Sequence, residues 1–248
     1  MKEIVYYIDM KIKSEQDYQK FINHLYELSD GEKFVAFQQK ILNTQKTIVG
    51  IKTPMLRKLA KEIYSCSHDG LFKYGTNDIF EEVLVKGLVI AMHTDCDFAI
   101  QELNRLVKCF DTWAETDMIC VSFKFFKRNE ERLFNYFSEL VKSEGEFVCR
   151  FGIVCLMKYF LDENNVDRTF KALDNVKCDK YYVNMAISWL ICEALIKNPQ
   201  NAVKNMQKII KNHHFNSFII NKGIQKCCDS FRFDKETKNK LKELKIKW

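Results

Sequence analysis

The residues of this chain best suited to chemistry are Trp113 and Asp117 in DTWAETDMI, Arg150 in EFVCRFGIVCLMKYFL, and Trp189 in YYVNMAISWLICEALIK. Trp113 and Asp117 are four apart, so on a helix they share one face. An aromatic face beside a carboxylate stabilises a group that is gaining positive charge, and a guanidinium grips a phosphate with a two-pronged bond. Together they suit a cationic, sugar-like transition state held against a phosphate. Each residue also has a plainer use. An Asp beside Met118, Ile119 and Cys120 is costly in a helix interior unless a loop or a lysine satisfies it. Arg150 suits a carboxylate of a preceding repeat, and an isolated tryptophan such as Trp189 on an apolar helix is ordinarily core. Their coincidence at equivalent heights of a repeat is what favours function.

The elements that must position these residues read as helices. Two prolines and eight glycines in 248 residues argue against a turn-rich all-β fold. Pro54 and Pro199 follow Thr53 and Asn198, which are good cap residues, so both prolines belong in first helical turns. Apolar periodicity predicts helices over 15–28, 32–43, 53–65, 79–92, 97–108, 112–126, 130–142, 146–161, 165–174, 179–197, 199–211, 215–228 and 235–244. Thr112 and Glu115 form a capping box, which puts Trp113 in the first turn and Asp117 one turn deeper. The breaks are short and polar, so a single domain over 1–248 is expected.

A repeat underlies these helices. Placing Lys86, Asp117, Arg150, Met185 and Lys222 in register gives steps of 31, 33, 35 and 37 residues, each about the length of a helix pair. Such a period predicts an all-α fold, a curved α-solenoid of degenerate HEAT-like helical repeats. Equivalent positions of stacked repeats line one concave surface, so Asp117, Arg150 and Lys222 are expected to share a groove, with Trp113 and Trp189 one turn away. Arginine and lysine at repeated positions suit a nucleic-acid backbone.

Composition narrows the field. The net charge of +6 is a mild basic excess and weak evidence for a polyanionic partner. The N-terminal MKEIVYYIDMKIKSEQ lacks the apolar core of a signal peptide, and no stretch approaches eighteen consecutive apolar residues, so no membrane role is expected. Ten cysteines include no C-x-x-C, and Cys120, Cys149, Cys155 and Cys192 lie in apolar helical stretches. Buried thiols in a reducing, cytoplasmic compartment are therefore expected, with no metal site. His213 and His214, adjacent in KNHHF, read as part of a solvated loop.

The G-I-x-T-P-x-x-R segment at 50–57, the W-x-x-x-D pair, the Arg of EFVCR and the Trp of MAISW carry a resemblance. The chain resembles the AlkD-like DNA alkylation repair family, helical-repeat DNA glycosylases, from about residue 48 to 233. The resemblance implies release of cationic N3- and N7-alkylpurines from duplex DNA without extrusion of the base, by a monomer that needs no cofactor. By similarity Asp117, Trp113, Trp189 and Arg150 are the catalytic group. Lys222 and Lys226 match basic positions of a late helix. Lys52, Thr53 and Arg57 at the start of the third helix are further candidate DNA contacts, with backbone amides adding to that site. The chain departs from the family pattern at Lys52, where a characterised member has a glutamine, and at Cys192, which replaces an arginine. The implied protein is cytoplasmic, and nucleoid-associated when bound to DNA. The rival readings are a non-catalytic solenoid for bent or branched DNA and a scaffold whose groove receives a peptide.

Overall fold

A computed structural model describes residues 11–120 and 123–247. Of the described residues 70% are helical, and among them there is no strand, only an isolated bridge between Thr47 and Ile79. It falls into two compact units, Met1–Arg128 and Asn129–Trp248. The first ten residues, over which the absence of a leader was inferred, lie outside the described residues, as do positions 121 and 122 of the helix expected over 112–126.

The first unit holds α1 (Glu15–Glu27), α2 (Glu32–Leu42), α3 (Thr53–Tyr64), α4 (Asp69–Tyr74), α5 (Phe80–Met92), α6 (Cys96–Leu106) and α7 (Trp113–Ile119). Local chemistry sets their ends. Ser14 and Asp17 cap α1 reciprocally, Asp95 caps α6, and Asn43 closes α2 in the left-handed region at φ 46°. Pro54 lies in the first turn of α3 as expected, but the cap residue is Lys52, and Thr53 is already helical. α5 is apolar nearly all round and packs on α3, α6 and α7. Gly87 makes the last contact possible, since a Cβ there would stand 2.3 Å from Ile119 Cδ1.

The structure differs from expectation in this unit, first at α4, which falls between the helices expected over 53–65 and 79–92. The helix expected over 112–126 ends at Ile119, and Phe126–Arg128 forms a separate 3-10 turn. Lys86, one of the register positions, is 3% exposed and paired: its ammonium sits 2.7 Å from Glu82 and donates to Asn77 at 2.7 Å. Burying an ammonium requires such a partner.

The second unit holds α8 (Glu130–Leu140), α9 (Glu146–Tyr159), α10 (Val166–Leu173), α11 (Tyr181–Lys197), α12 (Ala202–Asn212), α13 (Ser217–Asp229) and α14 (Lys235–Glu243). Here the solenoid pattern is plain. α9, α11 and α13 pack in succession, while α8 and α10 flank α9 and α12 flanks α11. All-round apolar sequences in α9 and α11 follow from having neighbours on both sides. Gly223 lets α13 approach α11 closely, since a Cβ there would meet Ile191 Cγ2 at 3.3 Å. Cys120, Cys149, Cys155 and Cys192 are buried. His213 is not solvated: its Nδ1 lies 2.8 Å from Asp174 and its ring packs on Phe170 and Phe215, leaving His214 alone exposed.

Candidate nucleic-acid site

The residues singled out from sequence divide between the units: Lys52, Thr53, Arg57, Trp113 and Asp117 in the first, Arg150, Trp189, Lys222 and Lys226 in the second.

In the first unit the site is built on α7. The capping box forms: Glu115 accepts the Thr112 N–H at 3.3 Å, and the Thr112 hydroxyl donates to the Leu42 carbonyl at 2.6 Å. Trp113 is half-buried, and its indole N–H donates to the Ile41 carbonyl at 3.1 Å, so the ring is held against the end of α2. Asp117 is half-buried one turn later. The buried Thr116 hydroxyl lies 2.8 Å from Asp117 Oδ1 and 2.7 Å from the Trp113 carbonyl. A hydroxyl carries one proton, so it shares its donation between the two acceptors.

Glu81 shapes the neighbouring G-I-x-T-P segment. Its buried carboxylate accepts the N–H groups of Val49, Gly50 and Ile51 at 3.0, 2.7 and 3.3 Å, which fixes the chain entering α3. The Thr53 hydroxyl reaches Met118 Sδ at 4.0 Å, so the N-terminus of α3 meets α7 beside Asp117. Lys52 is exposed but paired: its ammonium is 2.7 Å from Asp30, which also accepts the Lys52 N–H at 3.0 Å. Those bonds, the Lys52 side chain first, hold the Asp30 carboxyl below its ordinary value. Arg57 is exposed on α3.

In the second unit Arg150 is 5% exposed on α9 and donates from Nη1 to the Tyr182 carbonyl at 2.8 Å. Glu146, one turn earlier on the same face, accepts the Tyr182 N–H at 2.8 Å. Tyr182 stands in the first turn of α11, where N–H groups lack helical partners, so Glu146 satisfies one of them. Trp189 is half-buried on α11, with its indole N–H on Glu193 at 3.2 Å and Arg232 at 3.5 Å from the same carboxylate. Lys222 is exposed on α13 with its ammonium 5.8 Å from the Phe218 ring centroid, and Lys226 follows one turn later, half-buried.

Cys192, at the position where the family pattern has an arginine, is buried against Cys227 of α13. The Cys227 S–H bonds to Cys192, and this bond pulls the Cys192 thiol down; Lys226 and Arg232 add to it against burial. Cys227 is pushed up by the same bond and by burial. A cavity of about 510 Å³ in this unit, lined by Leu161, Phe170, Asn198, Asn205 and Lys208 among others, contains none of the singled-out residues.

Sequence reasoning missed Thr116, Glu193 and the loop after α2. Only Thr116, adjacent to Asp117, carried a local signal.

An all-α chain with stacked helices, an aromatic–carboxylate pair on one helix face and basic residues on others defines a helical-repeat protein suited to a polyanion. The model of the DNA alkylation repair enzyme family matches residues 21–226, and the chain belongs to this family. Its role is in DNA alkylation repair, with DNA as the partner that membership implies. No curated protein matches the chain.

Proposed function

We propose that the chain is a DNA glycosylase that hydrolyses the N-glycosidic bond of cationic N3- and N7-alkylated purines in duplex DNA. The observation that supports this best is the pair on α7: a half-buried carboxylate, Asp117, oriented by Thr116, one turn from Trp113, whose ring is held by Ile41.

Alkylation at N3 or N7 places positive charge on the purine, so it departs as a neutral base. As the bond from C1′ breaks, positive charge builds on the deoxyribose. A carboxylate at about 4 Å contributes roughly 4 kcal/mol at an effective dielectric near 20. That is about a thousandfold in rate, at about 1.36 kcal/mol per factor of ten. Asp117 supplies this stabilisation and orients the water that adds to C1′. Trp113 and Trp189 present their faces to the cationic sugar, each a smaller contribution of about 1–2 kcal/mol when desolvated. Arg150 serves the phosphate backbone and register. Lys52, Thr53, Arg57, Lys222 and Lys226 are proposed as backbone contacts. Because the leaving group is already activated, the chemistry needs neither a general acid for the base nor a metal.

The deciding experiment is single-turnover release of 7-methylguanine from duplex DNA at saturating protein, wild type beside Asp117→Asn. Release by wild type with a fall of roughly a hundredfold to a thousandfold in the variant is expected for loss of a preorganised charge. Equal rates would sink the role of Asp117. No release by either, with salt-sensitive DNA binding intact, would replace the proposal with a non-catalytic DNA-binding solenoid.

A further inference from the structure

We propose that Lys46 is a positioning residue of the α7 site, holding Trp113 and Asp117 in place through Asp111 and the buried Glu115. The catalytic consequence rests on the glycosylase reading above; the structural consequence does not.

Lys46 lies in the loop between α2 and α3, far in sequence from the partners of its ammonium. Its side chain is 8% exposed, and its ammonium reaches the Cys109 carbonyl at 2.6 Å, Asp111 Oδ1 at 2.9 Å and Glu115 Oε1 at 3.0 Å. The Cys109 contact is a hydrogen bond and the two carboxylate contacts are ion pairs, so the buried Glu115 Oε1 has Lys46 as its counter-charge but no hydrogen-bond donor. The same loop adds two bonds to Asp111, from the Thr44 hydroxyl at 2.6 Å and the Gln45 N–H at 3.0 Å. Just upstream, the Ile41 and Leu42 carbonyls accept from Trp113 and Thr112. The segment 41–46 is therefore a strap across the N-terminus of α7, with Lys46 as its charged end.

The strap matters because α7 has seven residues, too few for a helix to hold itself by backbone bonds alone. Its direction is set by what anchors its first turn. Glu115 sits between Trp113 and Asp117 in sequence but on the buried side. Its second oxygen accepts the Asp111 N–H at 2.8 Å and the Thr112 N–H at 3.3 Å. Burial pushes the Glu115 carboxyl up, with Lys46 and the Asp111 N–H opposing and the Asp111 charge adding. The charged groups facing Glu115 are thus Lys46 from the strap and Asp111 from the segment before α7. Removing Lys46 leaves two carboxylates, one before α7 and one in its first turn, without their cation, and the turn must shift to rehydrate them.

The test compares Lys46→Met and Lys46→Arg with wild type in two assays. In single-turnover release of 7-methylguanine, Lys46→Met is expected to fall roughly tenfold to a hundredfold, the scale of a misplacement near 1 Å. Affinity for unmodified duplex should stay within about twofold, since Lys46 is buried. Lys46→Arg, which keeps the cation, should recover part of the rate. In the second assay Trp189→Phe and Trp248→Phe leave Trp113 as the sole tryptophan. Adding Lys46→Met should lower its fluorescence anisotropy and raise quenching by acrylamide, with far-UV circular dichroism unchanged.

A folded Lys46→Met with wild-type rate and wild-type anisotropy overturns the proposal. If Lys46→Met does not fold, Glu115→Gln decides. It retains the oxygen that accepts the Thr112 N–H and loses the charge, so smaller changes of the same sign are expected in both assays, and their absence overturns the proposal equally. Should wild type release no base, the glycosylase reading fails while the anisotropy assay still tests the strap.

Discussion

Arg150 of α9 donates to the carbonyl of Tyr182 at 2.8 Å, while Glu146, one turn earlier, accepts the N–H of the same residue. One side of α9 thereby grips both backbone groups of Tyr182 and sets the start of the helix that carries Trp189. Arg150 is thus a structural residue of its unit as well as a proposed phosphate ligand.

Arg150→Ala removes a charge-assisted bond worth about 1.5–3 kcal/mol, and the melting temperature should fall by about 2–4 °C per kcal/mol lost. Arg150→Lys keeps the charge without the planar fork and should lose less stability than Arg150→Ala. Calorimetry of both variants beside DNA binding separates the two roles. A stability equal to wild type in Arg150→Ala would show that the Tyr182 bond contributes nothing.

Thr116→Val preserves the shape of a buried side chain while removing the hydroxyl 2.8 Å from Asp117. Loss of one such bond is worth about 1 kcal/mol. Base release should therefore fall by roughly fivefold to tenfold, far less than in Asp117→Asn, with DNA affinity unchanged. The comparison is made under single-turnover conditions. A loss as large as that of Asp117→Asn would mean that Thr116 does more than orient the carboxylate.

If about five phosphates are engaged, the logarithm of duplex affinity should fall with the logarithm of salt at a slope near −4.5. Lys222→Ala should reduce that slope by about 0.9, the loss of one phosphate contact. Lys52→Ala should reduce it less, because Lys52 is already neutralised by Asp30 at 2.7 Å. Titrations at several salt concentrations test the ranking, and a larger effect at Lys52 than at Lys222 would reverse it.

The strap also sets a pH dependence. Burial raises the Glu115 carboxyl above its ordinary value. Between the unfolded and folded values the native state then binds more protons, so this group's contribution to stability declines as pH rises through that window. At Asp111 burial alone would raise the carboxyl, but the bonds from Thr44, Lys46 and Gln45 outweigh it and hold it low. Its contribution is present above the unfolded value and is lost as pH falls through the folded one. In Lys46→Met the cation opposing the rise at Glu115 is gone. The deficit in melting temperature against wild type should therefore narrow on going from about pH 7.5 to about pH 5.5. A deficit that widens toward acid pH would contradict this account.

Much of the fold was legible because helix ends are local chemistry. Thr112 with Glu115, Ser14 with Asp17, and Pro54 act within a few residues of themselves, and the helices they bound begin within about one residue of expectation; at Pro199 a 3-10 turn, Pro199–Asn201, comes first, and α12 begins three residues later than expected. α4 was not legible, since DGLFKY is six residues long and offers no period to read. Instead Gly70 donates its N–H to the Ile12 carbonyl at 2.9 Å, a contact that joins α4 to the segment before α1.

The sequence by itself determined an all-α chain of stacked helices, the Trp113–Asp117 pair on one helix face, and membership in a repair family through motifs of local spacing. The tertiary structure alone decided which charges are available. Lys86 is buried against Glu82, Lys52 is paired with Asp30, Arg150 holds Tyr182, and His213 packs against Phe170 rather than lying in solvent. It also revealed Lys46, whose ammonium finds its partners more than sixty residues away. The division has one physical cause. Helical propensity and capping depend on neighbours within about four residues. The state of a charged side chain depends on which groups the packing brings within about 4 Å, and that distance is not written in sequence order.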